Sequence, residues 1–174
     1  MKLFDKDLLE RYSFSDGIRI GDYESNRTLT DKIPNKKGIY IVLSKKLPKK
    51  LFLEVGTGGF FKGKNPNVDE SFMLRNWVNN THILYIGKAG GKNTNGTTSN
   101  STLRERIIAY LKFGQGENIG HWGGRLIWQL QYYRDLHIYW RTCSDSENPV
   151  EMEKIMIREF ENKYGKLPFA NLRH

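Results

Sequence analysis

Two helical stretches of this chain each carry a charged side chain where an apolar one belongs. Residues after Asn148-Pro149 read as a helix to about Tyr164, with Met156, Ile157, Phe160 and Tyr164 as its apolar stripe. At about 100° per residue, Glu153 falls within about 40° of all of these but Met156, so its carboxyl points inward with the stripe. An inward carboxylate is costly unless a metal ion, a cation or a hydrogen-bond donor meets it. Glu151 projects from the opposite face, third in the helix after Asn148, where it serves as a capping-box partner and complements the helix dipole. In the helix opened by Thr102 and Glu105, Leu103, Ile107, Tyr110 and Phe113 form one face. Arg106 lies on the flank of that face, one turn before Tyr110, and a planar, permanently charged fork there suits the non-bridging oxygens of a phosphodiester. Each also has a plainer reading: an inward salt bridge to a core-edge arginine for Glu153, and a snorkelling stem for Arg106.

Two tyrosines add to this set. Tyr40 and Tyr85 lie in apolar runs, next to Gly38 and Gly87 respectively, and Lys88 follows the second run. Strand tyrosines usually belong to the core. Framed by glycine on neighbouring strands, they mark a place where another backbone or a ligand comes close.

The elements that must position these residues follow from pattern. Residues 1–30 read as an N-terminal arm with a short helix near Lys6–Tyr12, and residues 31–174 as one domain. Lys37–Leu43 is a buried strand, Leu51–Val55 a short second one, His82–Ile86 a third and Leu136–Thr142 a fourth run with strand alternation. Glu70–Asn79 suits a short helix, Gly56–Gly59 a turn, and Lys92–Asn100, nearly all Gly, Ser, Thr and Asn, a mobile loop. The capped helix from Thr102 ends near Phe113, residues 114–124 are irregular, and Leu126–Tyr133 resumes an ordered element. No internal repeat stands out.

Composition bounds the function. A chain of 174 residues with 38% hydrophobic residues supports one folded domain. No run approaches the roughly 20 apolar residues of a membrane span, and the N-terminus lacks a secretory block, so a cytoplasmic protein with no membrane association is expected. The single Cys143 excludes an internal disulfide and a cysteine-rich zinc site, and reads as a small apolar filler. A formal net charge of +9 favours polyanionic partners.

Taken in order, these residues resemble the GIY-YIG nuclease family. The resemblance rests on Gly38-Ile39-Tyr40, Tyr85-Ile86-Gly87 with the following Lys88, the helix Leu103–Tyr110, Glu153 early in a late helix, and Asn171, and it spans about residues 36–172. The family's arginine precedes a tyrosine or histidine by four residues, which selects Arg106 over Arg104; its glutamate sits about two turns before an aromatic or leucine, here Phe160.

The resemblance implies an α/β (α+β) fold with a small three-stranded antiparallel sheet flanked by helices, and a divalent-metal-dependent DNA endonuclease. It makes Glu153 the single protein ligand of Mg²⁺ (or Mn²⁺). Tyr40 or Tyr85 becomes the general base or its assistant, with Tyr110 in support. Lys88 positions phosphate or lowers a tyrosine pKa, and Asn171 orients the nucleophile or holds the site's shape. Two insertions, about residues 44–80 and 90–100, depart from the compact pattern and leave substrate choice open. Residues 56–79 and His121–Arg125, with Trp122 and Arg125, read as DNA-contacting additions or as core. The alternatives to an endonuclease are a non-cleaving nucleic-acid-binding module and a subunit that depends on a partner. Both a homodimer and a separate protein partner stay open.

Overall fold

The structure, a computed structural model, describes every residue except Asp16, Thr94, Arg173 and His174. In chain order its elements are α1 (Leu3–Arg11), β1 (Ile18–Arg19), α2 (Ile20–Ser25), β2 (Gly38–Leu43), α3 (Glu70–Asn76), β3 (Ile83–Ala89), β4 (Gly91–Lys92), β5 (Thr98–Ser99), α4 (Leu103–Gly114), β6 (His137–Thr142) and α5 (Pro149–Tyr164). Short 3-10 turns cover Arg27–Lys32, Phe61–Gly63, Arg125–Gln129 and Tyr133–Asp135.

β2 is central because all six of its residues are apolar enough to be buried on both faces. It pairs antiparallel with β6 on one side and β3 on the other, in the sheet order β1-β6-β2-β3. Ile39, Ile41 and Leu43 join Leu8 and Leu9 of α1 and Met156, Ile157 and Phe160 of α5 in one core. Tyr40 and Val42 face the opposite core, with Leu103, Ile107, Tyr110 and Leu111 of α4 and the Leu126–Leu136 segment. The β2–β3 register slips between Val42 and Leu43, leaving Leu84 as the unpaired extra residue. This bulge keeps both Leu84 and Tyr85 on the α4 side, while Ile83 and Ile86 pack on the α5 side.

Several expectations need correction. The sheet has four strands, not three: Ile18 and Arg19 of the N-terminal arm pair with Ile138 and His137. A two-residue pairing is too short to leave a readable alternation. Leu51–Val55 is not a strand and makes only the isolated bridge between Phe52 and Leu130. That segment is held by the buried Gln129, whose backbone carbonyl accepts from Leu53 N–H (2.7 Å) and whose amide both accepts from Val68 N–H and donates to its carbonyl (2.9 Å each). The stretch read as a loop after Gly90 contains the β4–β5 pairing of Gly91 with Ser99 and Lys92 with Thr98.

Capping sets the two helices that bear the charged residues. Thr102 and Glu105 exchange both bonds of a capping box at the start of α4. Asn148 caps α5 by accepting from Val150 N–H, and Gly165 ends the helix with a left-handed φ of 73°. Glu151 does not complete a capping box; it is exposed and pairs with Lys154 at 3.4 Å. Cys143 is buried and unbridged. Among the described residues no helix is long and apolar enough to cross a membrane.

Candidate active site

A cavity of about 300 Å³ is lined by Tyr85, Lys88, Gly90, Ser99, Ser101, Arg106 and Glu153. α4 packs on one face of the sheet and α5 on the other, so their side chains meet only where the sheet runs out. β3 is the outer strand, and its end at Ala89–Gly90 is that place. Two devices hold the walls. Asn148 Nδ2 donates to the Lys92 carbonyl (2.9 Å) and its Oδ1 accepts from Lys92 N–H (3.1 Å), tying β4 to the start of α5. Ser101 Oγ accepts from Gly90 N–H (3.0 Å) and sits 3.0 Å from Ser99 Oγ.

Glu153 is half-buried and, among the described residues, has no salt bridge or side-chain hydrogen bond, so the inward ion pair is not formed. Burial raises its carboxyl to about 7 against the opposing charges of Lys88, Arg106 and Lys154. Arg104, the other arginine of the helix, is engaged elsewhere: its Nε donates to the Ile33 carbonyl (2.8 Å) and its Nη2 to the Asp31 carbonyl. The Lys88 charge opposes the effect of burial on the Glu153 carboxyl.

The three tyrosines form a buried aromatic cluster at the back of the cavity. Ring centroids lie 5.9 Å apart for Tyr40 and Tyr85, 6.2 Å for Tyr40 and Tyr110, and 5.9 Å for Tyr85 and Tyr110. Tyr85 reaches the cavity wall; Tyr40 and Tyr110 are fully buried and do not line it. Tyr40 Oη is 3.0 Å from His121 Nε2, and the Tyr110 hydroxyl donates to the Gly124 carbonyl at 3.2 Å. Burial pushes Tyr40 up to about 12, opposed by Arg106 and by the Tyr85 hydroxyl, and it holds Tyr85 and Tyr110 well above the ordinary phenol value. All three are therefore neutral phenols near pH 7.

Both motif glycines are steric requirements. A Cβ on Gly87 would lie 2.6 Å from the Tyr40 ring, and one on Gly38 would lie 2.1 Å from the Arg141 carbonyl oxygen across the β2–β6 pair. Asn171 does not line the cavity. Its Oδ1 accepts from Ile86 N–H (2.9 Å) and its Nδ2 donates to the Ile86 carbonyl (2.8 Å), so it holds the edge of β3. Trp122 is half-buried against the core, with the Arg125 guanidinium carbon 4.8 Å over its ring. His121 is fully buried with its Nε2 3.0 Å from the Tyr40 hydroxyl, so of its two expected readings it takes the core one and not the DNA-contacting one.

The donor set fits a hard divalent cation. Among the described residues no three His, Cys, Asp or Glu side chains cluster as a metal cage. One unpaired carboxylate facing a polar cavity suits Mg²⁺, which takes one or two carboxylates and fills its remaining positions with water and phosphate oxygens. No family model matches the chain, and neither the curated proteins nor the solved structures contain a significant match.

Proposed function

We propose that this chain is a Mg²⁺-dependent DNA endonuclease of the GIY-YIG type. The observation that carries the reading is one cavity receiving a carboxylate from α5, a guanidinium from α4, and a phenol and an ammonium from β3. Glu153 would hold the metal ion, which when bound supplies Lewis-acid stabilisation of the phosphate charge. Arg106 binds non-bridging oxygens and stabilises the charge that builds on the phosphorus centre. Lys88 anchors phosphate and offsets the Glu153 charge. Tyr85, the phenol at the wall, orients the attacking water through its oxygen, with Tyr40 behind it. A binding module has no use for an inward carboxylate beside phosphate, and this disfavours the non-cleaving alternative.

Supercoiled plasmid incubated with Mg²⁺ or Mn²⁺ tests the proposal. The parent chain nicks it, whereas Glu153→Gln loses at least about 100-fold in rate while still binding DNA. DNA binding without cleavage by the parent under either ion would make the chain a binder.

A further inference from the structure

We propose that Trp122 and Arg125 form a stacking subsite for one unpaired nucleobase beside the cavity, which directs the chain to DNA carrying a single-stranded stretch at the cleavage point. This rests on the reading of the cavity as a site of phosphodiester hydrolysis and adds a substrate class to it.

Continuity with the cavity comes from Gly123 and Gly124. A Cβ on Gly123 would lie 2.7 Å from the Tyr85 hydroxyl oxygen, and one on Gly124 3.0 Å from the Tyr85 ring, so this backbone rests directly on the phenol that lines the cavity. Gly123 is itself exposed. Trp122 precedes the two glycines and Arg125 follows them, and their side chains meet, with the guanidinium carbon 4.8 Å over the Trp122 ring. Phe113 of α4 meets that ring edge to face at 6.5 Å.

The Arg125 guanidinium has no polar partner among the described residues: its Nε is buried without a hydrogen bond, and no carboxylate pairs with it. An arginine with a structural task has its donors taken up by oxygens, as Arg104 has by the Ile33 and Asp31 carbonyls and Arg141 by Glu147. A half-buried guanidinium lying on an indole instead extends its flat surface, and such a planar cation is a platform on which a base stacks. The neighbouring loop adds positive charge. Phe61 packs on Gly120, where a Cβ would lie 3.1 Å from its ring, and Lys62 N–H donates to Asn118 Oδ1 at 3.1 Å. The Lys62 ammonium lies 5.3 Å over Phe61. Glu117, the acidic residue of the 114–125 segment, pairs with Lys112 at 3.9 Å.

Inside a continuous duplex each base has both faces covered by its neighbours and cannot use this platform. A flap, gap or loop offers a free base face with little unstacking to overcome. A strand whose phosphate sits against Tyr85 then carries its unpaired base past Gly123 onto Arg125.

Binding in EDTA, where nothing is cut, tests this with a duplex bearing a short flap and 2-aminopurine placed in turn at each flap nucleotide. The parent should bind the flap at least about 5-fold more tightly than a continuous duplex of the same length, and quench the fluorescence at one position. An abasic site at that position should remove the advantage. Arg125→Lys keeps the charge and loses the plane, and should lose both the quench and the preference. Equal affinity for flap and duplex, no quenched position, an abasic flap bound as well as the intact one, or a quench retained in Arg125→Lys overturns the proposal. Should Arg125→Lys fail to fold, the abasic comparison in the parent decides. The two readings fail separately: a parent that quenches the flap but cuts nothing with Mg²⁺ ends the nuclease reading alone, and one that cuts continuous duplex as fast as the flap ends the subsite alone.

Discussion

Glu153 sits at about 7 because burial outweighs Lys88, Arg106 and Lys154 together, and this gives two measurements a definite sign. The folded value lies above the ordinary 4.5, so between those two pH values the native state holds a proton that the unfolded chain has lost. Stability without metal therefore falls as pH rises through that window and levels off above it. The magnitude is bounded by a few kcal/mol and reduced by partial exposure. Thermal melts in chelator from pH 5 to 8 should show the decline, and Glu153→Gln should flatten it. Mg²⁺ must displace the residual proton, so its apparent affinity rises with pH up to about 7 and its addition at pH 8 raises the Tm of the parent but not of the variant. A parent whose melting point ignores both pH and Mg²⁺ would remove Glu153 from the metal role. Gly87 offers a second test behind the cavity, where it packs against Tyr40. Gly87→Ala places a methyl 2.6 Å from a fully buried Tyr40 ring that has little room to retreat. Overpacking of this kind costs about 1–3 kcal/mol, which urea denaturation measures.

Among the elements, Asn148 has the largest reach for its size. Its one amide caps α5, which carries Glu153, and clasps the backbone of Lys92 in β4. Asn148→Ala should cost about 1 kcal/mol for the cap and speed hydrogen exchange at Lys92 N–H well above the change elsewhere. Unchanged protection at Lys92 would mean that the hairpin holds itself. Elements whose signals are local were legible from the residues alone: the β-branched run of β2, the Thr102–Glu105 box of α4, the Asn148-Pro149 start and Gly165 stop of α5. What escaped was set at long range. β1 exists only because His137 and Ile138 are there to pair with it, and the residues around Phe52 are fixed by Gln129. The site divides in the same way. Arg106 and Glu153 are marked by helix faces, whereas the difference between Tyr85 at the wall and Tyr40 behind it depends on the depth of the sheet, and His121 stands 81 residues from the phenol it meets.

For the whole molecule the question is where its formal net charge of +9 acts. A second hollow, of about 590 Å³, shares Ser99 and Ser101 with the cavity and continues past Lys36, Lys37 and Lys92. The Lys37 ammonium is engaged by the Asp145 and Glu147 carbonyls at 3.2 and 2.7 Å, which leaves the exposed Lys36 and Lys92 as the cations available to a strand leaving the site. A third hollow, of about 400 Å³, carries Lys45, Lys46 and Lys49. It lies at the other end of β2: Gly38 pairs with Ala89 beside the cavity, whereas Leu43, next to the lysine loop, pairs with Ile83. If DNA follows the first path, each lysine lost there releases one fewer counterion on binding. Lys36→Ala and Lys92→Ala should each lower the slope of log Kd against log salt by about 1, with EDTA present to prevent cleavage. Lys45→Ala and Lys49→Ala should leave that slope unchanged. The opposite outcome, a slope that responds to the Lys45 end and ignores Lys36 and Lys92, would move the duplex to the far end of the sheet and separate it from Arg106 and Glu153.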